Sequence, residues 1–95
     1  MKKYEIMYII KPDLESDVIK AQIERLTNIF GNYGSTVLEH KEMGLKDLAY
    51  EIEHYKKGYY VWQLVEASTD AIFEFNRVIR ITEDVIRFIV VKEGE

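Results

Sequence analysis

From Tyr4 to Ile10 the side chains alternate between two faces, with Ile6, Tyr8 and Ile10 on one and Glu5, Met7 and Ile9 on the other. Both faces are largely apolar, which suits a strand in the middle of a sheet. Pro12 closes the strand, because it fixes φ and lacks the N–H a ladder needs. The period then changes. Val18, Ile19, Ile23, Leu26, Ile29 and Phe30 recur every three or four positions and predict the buried stripe of a helix. Asp13 or Ser16 is the expected N-cap, and Asp13, Glu15 and Asp17 suit the positive end of the helix dipole. Gly31 and Gly34 are expected to stop the helix.

A long strand is predicted from Ser35 to about Glu53, with a bulge or bend at Gly44. Lys56-Lys57-Gly58 reads as the turn of a hairpin, since glycine takes φ > 0 freely. Tyr59 to Glu66, rich in aromatic and β-branched residues, is the partner strand. Ser68, Thr69 or Asp70 caps a second helix, whose apolar positions are Ile72, Phe73, Phe75, Val78 and Ile79 and which ends near Ile81. Val85 to Lys92 is the last strand, and Glu93-Gly94-Glu95 is expected to fray. The order is βαββαβ. Right-handed crossovers put both helices on one side of a single sheet. The expected fold is α+β: a ferredoxin-like two-layer sandwich with a four-stranded antiparallel sheet and two helices on one face. Residues 1–95 form one domain, with no repeat, linker or low-complexity tract.

Such a sandwich leaves one sheet face without helices. Glu5 shares a face with Met7 and Ile9, and Arg87 shares one with Ile89 and Val91. A charge in each set marks these as the uncovered sides. The core then takes Ile6, Tyr8 and Ile10 with Ile86, Phe88 and Val90. In the third strand the two sets are Tyr60, Trp62, Leu64 and Tyr59, Val61, Gln63, Val65. The first is placed on the open face, because Gln63 can snorkel at an edge or pair with a hydroxyl. Met7, Ile9, Tyr60, Trp62, Leu64, Ile89 and Val91 would then form an apolar patch, the usual mark of an interface.

Charge complicates the choice of partner. The formal net charge is −4, the wrong sign for a chain that must neutralise phosphates by itself. The cations are unevenly spread, however. Lys2 and Lys3 precede the first strand, Lys92 ends the last with Arg87 on the same strand, and Arg77 and Arg80 close the second helix. Antiparallel pairing of the first and last strands would gather several of them at one corner. With no cysteine, disulfides and thiolate metal sites are excluded. No apolar run approaches the roughly 20 residues that span a bilayer, and no secretory-type stretch follows the N-terminus, so the protein is expected to remain in the cytoplasm.

Catalytic patterns are missing. His40 and His54 stand 14 positions apart, outside metal-ligand spacing, and read as surface residues. Glu51 with Glu53, and Glu83 with Asp84, lack a neighbouring base or nucleophile. Lys11-Pro12-Asp13-Leu14 offers neither the glycines nor the arginine of an anion loop such as an acylphosphatase would need. Neither an enzymatic activity nor a cofactor is expected. Lys57-Gly58-Tyr59-Tyr60-Val61-Trp62 shares the basic-Gly-aromatic opening of an RNP1 motif, but Tyr60 replaces the small fourth residue and Val61 and Trp62 are out of order. Packing explains these aromatics better than an RRM stacking platform does.

End to end, the sequence resembles bacterial small-subunit ribosomal protein six. The landmarks are Met1-Lys2-Lys3-Tyr4-Glu5, Asn32-Tyr33-Gly34, Lys57-Gly58-Tyr59-Tyr60, Val90-Val91-Lys92 and above all the run from Gly44 to Ile52. Glu53 departs from the basic or small residue the family tends to carry there. The resemblance implies a ribosome-bound structural protein of the small subunit. It also implies binding to the central domain of small-subunit rRNA jointly with small-subunit protein eighteen, whose basic character would offset the acidity of this chain. Carried over residue by residue, it points to Lys2, Lys3, Tyr4, Arg80, Arg87 and Lys92 for RNA and to the open-face patch for the partner. The competing expectation is a free ferredoxin-like interaction or sensor module, motivated by the acidic charge and the uncovered sheet.

Overall fold

The structure, a computed structural model, describes residues 1–94. Its elements are β1 (Lys2–Ile10), α1 (Ser16–Asn32), β2 (Thr36–Ile52), β3 (Tyr55–Ala67), α2 (Thr69–Arg80) and β4 (Val85–Lys92). The four strands form one antiparallel sheet in the order β2-β3-β1-β4. β1 therefore has a neighbour on each side, as its two apolar faces predict. Both helices cover the same face of the sheet, giving the expected ferredoxin-like sandwich.

The core lies between that face and the helices. Ile6, Tyr8 and Ile10 of β1 and Val61 and Val65 of β3 pack on Leu26 and Phe30 of α1 and on Ala71, Phe75 and Ile79 of α2. Phe30 and Phe75 stack with ring centroids 5.0 Å apart. Ile86 is buried, and Phe88 and Val90 pack against the cluster. Two of the apolar helix positions point out, Val18 among them although the period sets it on the buried stripe. Val18 is exposed at the rim of the first turn of α1, and Phe73 lies on the outer surface of α2, 69% exposed.

The helix ends differ in chemistry. Ser68 caps α2, its hydroxyl accepting the Ala71 N–H at 3.2 Å. α1 begins after Glu15, whose side chain makes no capping bond, so neither Asp13 nor Ser16 serves as cap. Asp13 instead accepts the Tyr55 hydroxyl at 3.5 Å. α1 ends in a Schellman motif: Ser35 N–H bonds the Phe30 carbonyl at 2.8 Å and Gly34 N–H bonds that of Gly31 at 3.1 Å. Gly34 supplies the left-handed residue at φ 67°, while Gly31 lies inside the helix rather than stopping it.

The β2–β3 hairpin corrects the predicted turn. Ile52 pairs with Tyr55, and the turn residues are Glu53 and His54, both at positive φ as a two-residue type I′ turn requires. Lys56, Lys57 and Gly58 belong to β3. The glycine serves close packing there, because a Cβ at Gly58 would run into the γ2 methyl of Ile9. Gly44 does mark a bulge, with φ 77° and a register shift between Glu42 and Gly44. At the C-terminus, Glu93 is tied down by its N–H to the Lys3 carbonyl at 2.9 Å, so the expected fraying does not begin there. Glu95 lies outside the described residues.

Gln63 settles which side of β3 is inside. It is fully buried, and its amide nitrogen donates to the Thr27 hydroxyl at 2.9 Å and meets His40 Nδ1 at 2.9 Å. The other His40 nitrogen lies 3.0 Å from Glu42, whose second oxygen accepts the Tyr59 hydroxyl at 2.8 Å. Hydrogen bonds from His40 and then Tyr59 hold the Glu42 carboxyl below its ordinary value. A lowered folded-state value stabilises the protein above the ordinary carboxylate range, and that contribution fades as pH falls through it. Glu42→Gln should therefore flatten the acid limb of the urea midpoint measured between pH 7 and pH 3. An unchanged limb would show that the network adds nothing.

Candidate nucleic-acid and partner interfaces

The antiparallel pairing of β1 with β4 sets Tyr4 opposite Lys92. Lys2 and Lys3 lie just before them, exposed, opposite Ala67 and Glu66 of β3. From this end a groove of about 660 Å³ runs between edge strand β4 and α2, lined among others by Tyr4, Ile72, Asn76, Arg80, Val90 and Lys92. Ile72, Asn76 and Arg80 are spaced by four and so share one face of α2, spanning about 12 Å of helix. α2 leaves the sheet beside Lys2 and runs towards the start of β4. Lys92 and Arg80 thus stand towards opposite ends of the groove. Three of the six predicted RNA residues line this groove, and Lys2 and Lys3 extend it at one end.

Arg87 does not join them. It lies on the opposite sheet face, five residues and about 16 Å of strand from Lys92. Its guanidinium donates to the Tyr50 hydroxyl at 3.0 Å and sits 5.6 Å from the centre of that ring. The expected positive corner is therefore corrected for Arg87: Tyr4, Arg80 and Lys92 share a groove on the helix side, and Arg87 pairs with Tyr50 on the open side. Nothing in the sequence signals the Tyr50 contact, because Tyr50 belongs to β2, at the other edge of the sheet.

The open face is arranged in cross-strand rows. Leu64, Glu5 and Val91 form one, Trp62, Met7 and Ile89 the next, and Tyr60, Ile9 and Arg87 the third. Ile89 and Val91 are more than half exposed, and Met7, Tyr60, Trp62 and Leu64 are half-buried. Lys41 of β2 places its ammonium 5.4 Å from the Trp62 ring. Ile9 is the exception in the predicted patch. It lies on this side by register but is only 7% exposed, because Gly58 lets the hairpin close over its methyl group. The patch available to a partner is therefore Met7, Tyr60, Trp62, Leu64, Ile89 and Val91.

Sequence reasoning missed Asn76 and Ile72 as groove residues, although their spacing from Arg80 would have revealed them. Among the described residues, no group of three or more His, Cys, Asp or Glu side chains is placed to hold a metal ion. No helix is long and apolar enough to cross a membrane.

The fold is a ferredoxin-like sandwich with one uncovered sheet face and a cation-flanked groove along its edge strand. A profile described as Ribosomal protein S6 matches residues 3–92. The Acholeplasma laidlawii protein named small ribosomal subunit protein bS6 is 57% identical over 95 residues, covering all of both chains. Its namesake from Phytoplasma australiense is 53% identical over 93 residues, covering 98% of this chain and 100% of its own. The crystal structure of 30S ribosomal protein S6 from Thermotoga maritima matches with a TM-score of 0.91 at 24% identity, covering 97% of this chain and 87% of that one, and shows the shared fold. The chain belongs to the ribosomal protein S6 family of the small ribosomal subunit.

Proposed function

We propose that the chain binds small-subunit rRNA through the α2–β4 groove and holds small-subunit protein eighteen on its open sheet face. It is a small-subunit ribosomal protein, and its place of work is the ribosome in the cytoplasm. The observation that carries the reading is the groove itself. It joins an aromatic, Tyr4, to two cations, Lys92 and Arg80, on a chain that is otherwise acidic. Cations reach the phosphate backbone, and the polar and aromatic groups between them position the RNA. A net charge of −4 opposes a nucleic acid at long range. A basic partner on the far side of the sheet offsets that repulsion. RNA and partner then favour each other's binding, typically by about 5- to 150-fold.

A titration of the central-domain rRNA fragment, with and without protein eighteen, tests this reading. Binding should be weak alone and tightened by the partner. Equal affinity in both arms, or none in either, would overturn it. The cations make a sharper prediction. Replacing Lys2, Lys3 and Lys92 with alanine should weaken joint binding and reduce its salt slope by about one for each lost phosphate contact. An unchanged slope would mark them as ordinary solvated charge.

A further inference from the structure

Phe73, one of the apolar positions of α2, stands on the outer face of that helix, 69% exposed. Ile81 beside it is 68% exposed. Together with Asn76, Arg77 and Arg80 they line a second groove of about 450 Å³. Among the described residues, no acidic one lines it. Arg77 is held by Glu74 through two bonds of 2.8 Å, which fixes its planar fork and neutralises its charge. Arg80 keeps its charge uncompensated, with no side-chain partner among the described residues. Asn76 and Arg80 also line the groove that leads to Tyr4 and Lys92. The two grooves are therefore one surface that wraps over the Asn76–Arg80 ridge.

We infer that Phe73 is a stacking platform for one unpaired RNA base, with Arg80 on the adjoining phosphate and Asn76 within reach of the base edge. The inference rests on the proposed rRNA reading and extends its footprint onto the outer face of α2. Its chemistry follows from the groove. An exposed aromatic ring, a planar guanidinium and a free cation are the groups on which splayed-out bases stack and their phosphates settle. An apolar protein segment would use the ring but would leave Arg80 beside it without a counter-charge. A phosphate supplies that charge. Sequence-specific RNA recognition also targets unpaired bases, which need only a narrow platform such as this one.

The test is a series at Phe73, read by titration of the central-domain rRNA fragment in the presence of protein eighteen. The side chain is exposed, so the variants should fold, and their thermal midpoints check this. Phe73→Ala and Phe73→Leu should each weaken binding roughly 5- to 100-fold, while Phe73→Tyr and Phe73→Trp should retain it. Fluorescence of the Phe73→Trp protein should be quenched when the fragment is added, beyond any change seen in the unaltered chain, whose tryptophan is Trp62. Equal affinity across the series, with the unaltered chain binding, overturns the platform and leaves the rRNA reading intact. Loss with alanine but not leucine overturns it in favour of an apolar protein contact. Concentration-dependent self-association abolished by Phe73→Ala overturns it in favour of a second copy. Failure of the unaltered chain to bind RNA overturns both readings together.

Discussion

Replacing Phe75 with alanine is expected to cost about 3–5 kcal/mol, a large share of the roughly 5–15 kcal/mol that holds a domain together. The ring is fully buried, stacks on Phe30 at 5.0 Å, and meets Tyr8 in a tilted contact at 6.5 Å. It joins both helices to the central strand. Those elements cannot all follow the vanished ring, so a cavity remains and its cost adds to the lost burial. The thermal midpoint should fall by about 15–30 °C. Phe73→Ala, two residues earlier on the same helix, should change stability by no more than about 0.5 kcal/mol. Calorimetry on the two variants checks both figures. Similar midpoints for the pair would mean that the assigned faces of α2 are wrong.

Gly58→Ala should destabilise the protein by about 1–3 kcal/mol, against the usual direction for that exchange. In an ordinary strand, alanine gains about 0.5–1 kcal/mol over glycine. Here the added methyl meets the γ2 carbon of Ile9, with Leu48 and the Ile10 carbonyl also close by. Ile9 is itself buried, and its branch point lies on the backbone side, so it has little room to swing away. Combining Gly58→Ala with Ile9→Ala should recover part of the loss, a coupling that urea denaturation of the four proteins measures. Additive costs would show that the two residues do not touch.

The same two positions illustrate what was legible in the sequence. The glycine was visible, and its reason was not. A Lys-Lys-Gly triplet after a strand reads as a turn, whereas the chain turns two residues earlier on Glu53 and His54, neither of which advertises positive φ. Contact across strands decided the matter, and contact across strands has no local signature. The alternation in β1 and β4 was legible because both faces are specified by several residues each. Gln63 in β3 ran against its own pattern. It lies inside because Thr27 and His40 receive its amide, and those partners stand 36 and 23 positions away. Phe73 is the converse case, an apolar residue on the outside. On a twelve-residue helix, periodicity alone does not separate the edge of the buried stripe from the surface beside it.

The site shows the same division. Lys92 and Tyr4 could be brought together from topology alone, because antiparallel β1 and β4 must start and end side by side. Alternation with Ile89 and Val91 already set Arg87 on the open face, opposite Lys92, but it gave no sign of what Arg87 meets there. Its side is set by the register that pairs it with Ile9, and its partner Tyr50 comes from the far edge strand. The acidic total charge hid the local arrangement, since among the described residues no carboxylate lines the α2–β4 groove.

One measurement addresses the account directly: side-chain and amide NMR shifts of the chain as protein eighteen is added first and the rRNA fragment second. Signals of Met7, Leu64, Ile89 and the Trp62 indole should move in the first step, and those of Tyr4, Asn76, Arg80 and Lys92 in the second. Perturbations that appear in the reverse assignment, or RNA-dependent shifts confined to the open sheet, would contradict the division of labour between the two faces.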